Sequence, residues 1–211
     1  MKPIVIITAP AHPYLTQRLQ EKGFEVVLSE TITYNELENS ITSATGLVVS
    51  TRLKIDQPLL EKAKSLKWIA RLGSGMELID TTFAASKNIF CVSSPEGNAG
   101  AVGEHAMALL LNLMNKITSS FTEVKNGLWI RDANRADALM GKTVGIIGMG
   151  HTGNAFASRL QSFGVQIMAH DKYKQETTLK NVEFVDLATL CANADVVSLH
   201  LPLTPETHHY A

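Results

Sequence analysis

The glycine-rich stretch at residues 148–153, which reads GMGHTG, constrains the fold of this chain more than any other feature. It directly follows the β-branched run 142–147, which predicts a buried strand. It also opens the segment 151–163, which predicts a helix that ends at Gly164. A G-x-G-x-x-G pattern alone is a weak signal. Between a strand and a helix, however, it is typical of an α/β unit that binds a dinucleotide.

The three glycines and one acidic residue of this unit have separate expected roles. Gly148 permits a tight turn, Gly150 lets the backbone approach a pyrophosphate, and Gly153 lets the helix pack on the strand. The pyrophosphate would lie at the helix N-terminus, where N–H groups and the helix dipole favour negative charge. Asp171 ends the next predicted strand, 18 positions after Gly153, and its carboxylate suits the ribose hydroxyls. Because it would repel a 2′-phosphate, the sequence predicts NAD rather than NADP.

Short β-branched runs alternate with helical segments along the first hundred residues. The predicted strands cover residues 4–8, 24–28, 46–50, 68–72 and 89–92, and the predicted helices cover 14–22, 35–43 and 57–65. Continuous apolar strands separated by helices are typical of a parallel sheet covered on both faces. In such a sheet the loops that follow the strands lie along one edge, where ligands bind.

A second alternation begins at Gly141, after a long apolar segment. Residues 101–115 are apolar nearly all round, which predicts a buried helix, and an irregular polar link follows them. Further strands are predicted over 142–147, 165–169, 182–185 and 195–201, with a helix from Asp186 to Ala192. We therefore expect a first domain over residues 1–98, a connecting helix and linker over 99–140, and part of a dinucleotide-binding domain over 141–211.

Composition excludes several classes of function. Among 211 residues, 19 Lys and Arg stand against 20 Asp and Glu, so bulk positive charge for nucleic-acid binding is absent. With 45% hydrophobic and 18% charged residues, the chain is not a disordered acidic polypeptide. We expect no membrane-spanning segment, no secretory signal and no metal site. Cys91 and Cys191 show no motif spacing, so we expect two reduced thiols in a cytoplasmic protein.

Four stretches make the chain resemble the D-isomer-specific 2-hydroxyacid dehydrogenases, and most of all their D-3-phosphoglycerate dehydrogenase branch. These stretches occur in the same order as in the family. They are residues 69–80 (IARLGSGMELID), residues 98–106 (NAGAVGEHA), residues 139–148 (LMGKTVGIIG) with the glycine loop that follows, and residues 198–207 (SLHLPLTPET). The resemblance implies two Rossmann-like, doubly wound parallel-sheet domains. The first would be a flavodoxin-like substrate domain without its C-terminal closing segment, and the second would be an incomplete NAD-binding domain.

The resemblance also implies an activity and a set of partners. The activity is hydride transfer between NAD and a small D-2-hydroxy acid, with 3-phosphoglycerate and 3-phosphohydroxypyruvate favoured, a reaction of serine biosynthesis. The implied assembly is a homodimer, with no nucleic-acid or membrane partner.

Two residues after a first-domain strand would bind the substrate carboxylate if the resemblance holds. Ser74 and Gly75 would do so through their backbone N–H groups, since a Gly-Ser-Gly turn can form an anion-binding concavity. Ser74 would also reach the nicotinamide side of the cofactor. Asn98 and Val102 would face the active-site cleft, Asn98 toward the substrate and Val102 toward the cofactor.

Basic residues near strand ends would receive a substrate phosphate in phosphoglycerate-type members. Here these are Arg52, Lys54 and Arg71, while Ser50 stands where the branch is expected to have its first arginine. That departure leaves the phosphate specificity open. The alternative for Arg52 and Lys54 is a role as solvated surface charges.

The remaining cofactor contacts follow from the third and fourth stretches. By resemblance, His151 and Thr152 present backbone N–H groups to the pyrophosphate, and Leu201 and Pro202 line the adenine and ribose side. We expect His105 and His200 to be structural, because neither matches the catalytic histidine of the family.

The catalytic residues of the family lie C-terminal to the last matched stretch. They are a histidine paired with a glutamate, which transfers the proton, and a substrate-binding arginine. We therefore expect no catalytic residue in these 211 residues and little or no dehydrogenase activity. We also expect an uncovered apolar sheet edge that associates or aggregates.

Alternative functions remain at this point. The chain could be a non-catalytic NAD-binding relative or an inactive truncated remnant. A short-chain reductase is disfavoured, since its glycine loop lies near the N-terminus and Tyr173 is followed four positions later by Thr177 rather than Lys. Formate dehydrogenases share the architecture and are not separated by fold alone.

Overall fold

The computed structural model describes residues 2–210 as two compact units, which divide between Gly97 and Asn98. Each unit is built on its own parallel β-sheet, with five strands in the first and four in the second. The predicted α/β class with parallel sheets is confirmed. Residues 99–140, which we expected to form a separate connection, are grouped with the second unit.

The first unit alternates strands and helices from its beginning to its end. Its elements are β1 (Ile4–Ile7), α1 (Pro13–Glu21), β2 (Glu25–Leu28), α2 (Tyr34–Ser40), β3 (Ala44–Val49), α3 (Gln57–Lys62), β4 (Trp68–Arg71), α4 (Thr81–Ser86) and β5 (Phe90–Ser93). Local capping sets where the helices begin: Thr33 and Glu36 form a capping box on α2, and Asp56 and Asp80 cap α3 and α4.

The sheet of the first unit has the strand order β2-β1-β3-β4-β5. The order reverses its direction between β1 and β3, which makes the carboxyl ends of these strands a switch point. Alternate residues of β1 enter two separate cores: Ile6 packs in one and Val5 and Ile7 pack in the other. Both faces of the sheet are therefore covered, as the continuous apolar runs predict.

The second unit holds the glycine-rich stretch. Its elements are α5 (Glu96–Met114), α6 (Ile117–Lys125), β6 (Thr143–Ile147), α7 (His151–Leu160), β7 (Gln166–His170), β8 (Val182–Phe184), α8 (Leu187–Asn193) and β9 (Val196–Leu199). The strand order β8-β7-β6-β9 reverses between β6 and β9. Phe156 and Leu160 of α7 are fully buried in one cluster with Val144 and Ile146 of β6. This packing fixes the start of α7 at the carboxyl end of β6.

The predicted strands agree with the structure to within two residues, but several helices differ. The helices predicted to end at residues 43 and 65 end as α-helices at Ser40 and Lys62. The short helices α4 and α6 were not predicted, and α5 begins at Glu96 rather than at residue 101. The prediction that the long helix is buried all round is wrong. Ala99, Gly103, Met107 and Leu110 are buried, but Leu109 and Leu113 on other sides of α5 are exposed.

The structure also bears on the surface of the second unit. Strand β9 forms one edge of its sheet, and the side chains of Val197 and Leu199 are about half exposed there.

Between residues 2 and 210, no helix combines the length and the apolar character that crossing a bilayer requires.

Candidate dinucleotide-binding site

The carboxyl ends of β6, β7 and β9 surround a cavity of about 620 Å³ at the switch point of the second unit. Such a position is where open α/β sheets bind their ligands. The residues that line it are Ile147, Gly148, Gly150, His170, Asp171, Lys172, Tyr173, His200, Leu201, Pro202, Thr204, Glu206, Thr207 and Tyr210. Of the predicted cofactor residues, the structure brings Gly148, Gly150, Asp171, Leu201 and Pro202 together in this cavity.

Close backbone contacts explain the first and third glycines of the loop. Gly148 has a φ of +95°, and a Cβ there would lie 2.5 Å from the carbonyl oxygen of His200. A Cβ on Gly153 would lie 2.0 Å from the carbonyl oxygen of Gly148. Both positions therefore require glycine for reasons internal to the fold, because backbone atoms cannot move aside as a flexible side chain can.

The second glycine has a different environment. A Cβ on Gly150 would meet no atom within 4 Å, so the space beside it is open. Gly150 is the N-cap of α7 and offers no side-chain cap to the helix. The first turn of α7, which contains His151 and Thr152, is thus oriented with its backbone N–H groups toward this end. An anion that approaches Gly150 would meet these N–H groups and the positive end of the helix dipole.

The Asp171 carboxylate anchors the glycine loop to the end of β7. Oδ2 accepts a hydrogen bond of 2.7 Å from the N–H of Met149, and Oδ1 accepts bonds of 2.8 and 3.0 Å from Tyr173 and Lys174. Partial burial alone would raise the pKa of Asp171, but the backbone N–H groups together hold it below its ordinary value. The carboxylate is therefore ionised at neutral pH.

Asn154, which the sequence reasoning missed, braces the same loop from the helix side. Its Nδ2 donates to the carbonyl oxygens of Met149 at 2.6 Å and Gly150 at 2.9 Å. Its Oδ1 accepts a hydrogen bond of 2.6 Å from the Thr177 hydroxyl. No local signal reveals this role, because one of the three partners lies 23 positions away.

Hydrogen bonds among its own residues hold the loop after β9 in a compact turn. The Thr207 hydroxyl donates to the Pro202 carbonyl oxygen at 2.5 Å and accepts from the Thr204 N–H at 2.8 Å. These bonds hold Pro202 and its neighbours as one wall of the cavity, opposite the wall formed by Asp171.

His200 lies at the base of this wall. Its Nε2 lies 3.0 Å from the Ser198 hydroxyl, and its ring packs on Phe156 with centroids 5.3 Å apart. Burial lowers the pKa of His200, so the neutral ring is favoured at neutral pH. These contacts give His200 a packing role; its partners are a hydroxyl and an aromatic ring rather than a carboxylate.

The predicted substrate residues of the first unit lie at the end of β4 and after β3 and β4. Nη2 of Arg52 donates to the carbonyl oxygens of Thr8 and Ile32 at 3.1 and 2.9 Å, and Nη1 of Arg71 donates to Leu72 at 2.6 Å. Part of each guanidinium is thus committed to the backbone. The side chain of Lys54 is exposed.

The turn at residues 73–75 follows directly after β4. Gly73 has a φ of +129°, a value that suits a glycine-rich turn. Ser74 is exposed and Gly75 is half-buried in this turn. Their predicted role in binding a carboxylate stays a prediction.

The last two predicted site residues, Asn98 and Val102, are exposed on α5 and belong to the second unit. Val102 lines a separate groove of about 410 Å³ between α5 and β9, which it shares with Leu109 and Leu199. Neither residue lines the cavity beside the glycine loop.

Among the residues described, no group of three or more His, Cys, Asp or Glu side chains is placed to hold a metal ion.

Comparison with known proteins adds a family model and several relatives. Residues 107–211 match the family described as D-isomer specific 2-hydroxyacid dehydrogenase, NAD binding domain. The hydroxypyruvate reductase of Thermotoga maritima is 38% identical over 205 residues, which are 97% of this chain and 67% of that protein. The D-3-phosphoglycerate dehydrogenase of Methanocaldococcus jannaschii is 36% identical over 208 residues, which are 97% of this chain and 40% of that protein.

The solved structures agree with these matches. A D-lactate dehydrogenase from Aquifex aeolicus, complexed with NAD and lactic acid, is 27% identical and superposes with a TM-score of 0.82. The match covers 98% of this chain and 62% of that one. The chain therefore spans between two fifths and two thirds of the length of these relatives.

Proposed function

The chain belongs to the D-isomer-specific 2-hydroxyacid dehydrogenase family, and we propose that it serves hydride transfer between NAD and a small D-2-hydroxy acid. The observation that carries the proposal is the cavity at the switch point of the second unit, where the glycine loop and an ionised aspartate face the same space. This second unit contains the NAD-binding domain of the family.

The residues of the cavity fit the adenosine and pyrophosphate parts of NAD. The open space at Gly150 and the uncapped turn of α7 suit a pyrophosphate. Because Asp171, Leu201 and Pro202 line this cavity together, we infer that Asp171 accepts hydrogen bonds from ribose hydroxyls and that Leu201 and Pro202 face the adenine side. When bound, the nicotinamide would supply the hydride acceptor or donor, and the protein's part is to bind and orient it.

The substrate class follows from the relatives and from the first unit. The named relatives are a hydroxypyruvate reductase, D-3-phosphoglycerate dehydrogenases and a glyoxylate reductase, all of which are named for a 2-keto or 2-hydroxy acid. We infer that Ser74 and Gly75 bind the shared carboxylate. Arg52, Lys54 and Arg71 favour an additional phosphate, so 3-phosphohydroxypyruvate is the first substrate to test.

The proton for the reaction is not assigned to a residue of this chain. His200 has a hydroxyl and an aromatic ring as partners, and the ring nitrogen Nδ1 of His170 lies 3.1 Å from the carbonyl oxygen of Val185. Neither arrangement resembles a histidine poised by a carboxylate for acid–base work. We infer that these 211 residues bind NAD and orient substrate but lack the catalytic Arg, Glu and His.

The experiment is a fluorescence titration of the 211-residue chain with NADH, followed by an assay with 3-phosphohydroxypyruvate. We expect saturable NADH binding and a turnover about 10²–10⁴ below a typical enzyme rate of about 10 s⁻¹. Asp171→Asn is expected to weaken NADH binding about tenfold, whereas Glu183→Gln on exposed β8 serves as a matched control. Absence of NADH binding would overturn the function. Fast turnover would instead overturn the assignment of the proton relay to residues outside this chain.

A further inference from the structure

A second charged pair lies on the wall of the NAD cavity, and its role rests on the function proposed above. Lys172 directly follows Asp171 at the end of β7, and Glu206 lies in the loop after β9. Both side chains line the same cavity, one from each wall. The Nζ of Lys172 lies 2.7 Å from Oε2 of Glu206.

The surroundings of this pair hold both partners in place. Nζ of Lys172 also lies 5.4 Å from the ring centroid of Tyr173, within the range of a cation–π contact. The hydrogen bond to Glu206 raises the pKa of Lys172, so the Lys172 ammonium is charged at neutral pH. On the other wall, the Thr204–Thr207 hydrogen bonds close the loop around Glu206.

The role that we infer for the Lys172–Glu206 pair depends on where the pair lies and not on how much it stabilises the fold. Exposed ion pairs contribute little to stability, and these two side chains are 62% and 67% exposed. However, a phosphate on an adenosine ribose that contacts Asp171 would have to be neutralised by a nearby cation. Lys172 lines the cavity next to Asp171, but its ammonium is occupied by Glu206.

We propose that Glu206 is a second determinant of the preference for NAD over NADP. Two features of the geometry give Glu206 this effect. It occupies the ammonium of Lys172, a lysine that lines the cavity next to Asp171, and it adds a second carboxylate to a cavity that already holds Asp171. Asp171 alone then accounts for part of the discrimination, and the Lys172–Glu206 pair accounts for the remainder.

The test measures dissociation constants for NADH and NADPH by fluorescence titration of the 211-residue chain and its variants. Glu206→Gln removes the charge and retains the shape of the side chain. We expect it to raise the NADPH-to-NADH affinity ratio about fivefold, a modest change because the pair is exposed to solvent. In a Lys172→Ala background the same substitution is expected to change the ratio by a smaller factor, about twofold, since no cation is then released and only the repulsion by the second carboxylate is removed.

The matched control is Glu183→Gln, which removes one negative charge from exposed β8 outside the cavity. An unchanged ratio in Glu206→Gln would overturn the inference, as would an equal change in Glu183→Gln or in the Lys172→Ala background. These failures differ from a failure of the proposed function, in which the unsubstituted chain binds no NADH at all and both proposals fall.

Discussion

The three glycines of the loop at residues 148–153 have different physical environments. Gly148 adopts a positive φ and lies against the backbone of His200, while Gly153 lies against the backbone of Gly148. Gly150 has neither constraint, since a Cβ there meets open space. The fold therefore requires two of the three glycines, and the open space beside the third fits the bound dinucleotide that we propose.

This difference predicts opposite outcomes for two identical substitutions. Gly153→Ala is expected to lower the free energy of unfolding by about 1–3 kcal/mol, because its Cβ would lie 2.0 Å from a backbone oxygen. Gly150→Ala is expected to lower it by only about 0.5–1 kcal/mol, the cost of alanine in place of glycine at an N-cap, but to weaken NADH binding at least about tenfold. Urea denaturation and NADH titration of both variants measure these quantities. Equal losses of stability would contradict the distinction.

At the scale of the helix and strand, the β-branched runs were sufficient to place all nine described strands, because a buried parallel strand has a strong local pattern. The two missed helices lack such a pattern. Helix α4 is six residues long and begins with two β-branched threonines. Helix α6 follows Lys116, which has a φ of +52°, and a lysine gives no warning of a left-handed turn.

Long-range side-chain bonds escape sequence reasoning for a related reason. Asp171 was predicted as a ribose ligand, but its bond to the N–H of Met149, across 22 positions, was not. Asn154 was missed altogether, since its link to Thr177 exists only once α7 and the segment after β7 are folded together. The sequence thus predicts the position of the loop, whereas tertiary structure supplies its rigidity.

That rigidity predicts the effect of removing the Asn154 amide. Asn154→Ala breaks two bonds to the glycine loop and one to Thr177, and we expect it to destabilise the chain by about 1–3 kcal/mol. A looser loop should also weaken NADH binding, by about threefold to tenfold. Asn193→Ala is the control, because its amide bonds only within exposed α8, to Thr189 at 2.8 Å. Equal effects of the two substitutions on NADH affinity would argue against a bracing role.

At the scale of the whole molecule, the two units share the same arrangement of strands and loops. Each parallel sheet gathers the loops after its strands at one edge, so distant sequence positions contribute to one site. In the first unit the turn that contains Ser74 and Gly75 follows β4. In the second unit this arrangement gathers the glycine loop and Asp171 beside one cavity. Under the function that we propose, the first edge binds the acid substrate and the second binds NAD.

Several large apolar side chains of the second unit are exposed. Leu113, Phe121 and Trp129, on α5, on α6 and in the segment after α6, are 72%, 67% and 83% exposed, and β9 adds a half-exposed apolar edge. Exposed apolar patches and uncovered strand edges mark association surfaces. We therefore expect the 211-residue chain to form dimers or larger species at micromolar concentration, in keeping with the homodimer that the family resemblance implies.

Sedimentation velocity across a concentration series measures this association. Phe121→Glu and Trp129→Glu together are expected to shift the chain toward monomer, because a buried carboxylate without a partner opposes the contact. The control is Tyr14→Glu on α1, which places the same charge at a site 62% exposed in the first unit and should leave the distribution unchanged. A chain that sediments as a monomer throughout would show that the exposed side chains of α5, α6 and the following segment do not mediate self-association. An equal shift in the Tyr14→Glu variant would show instead that an added negative charge disperses the molecules wherever on the surface it is placed.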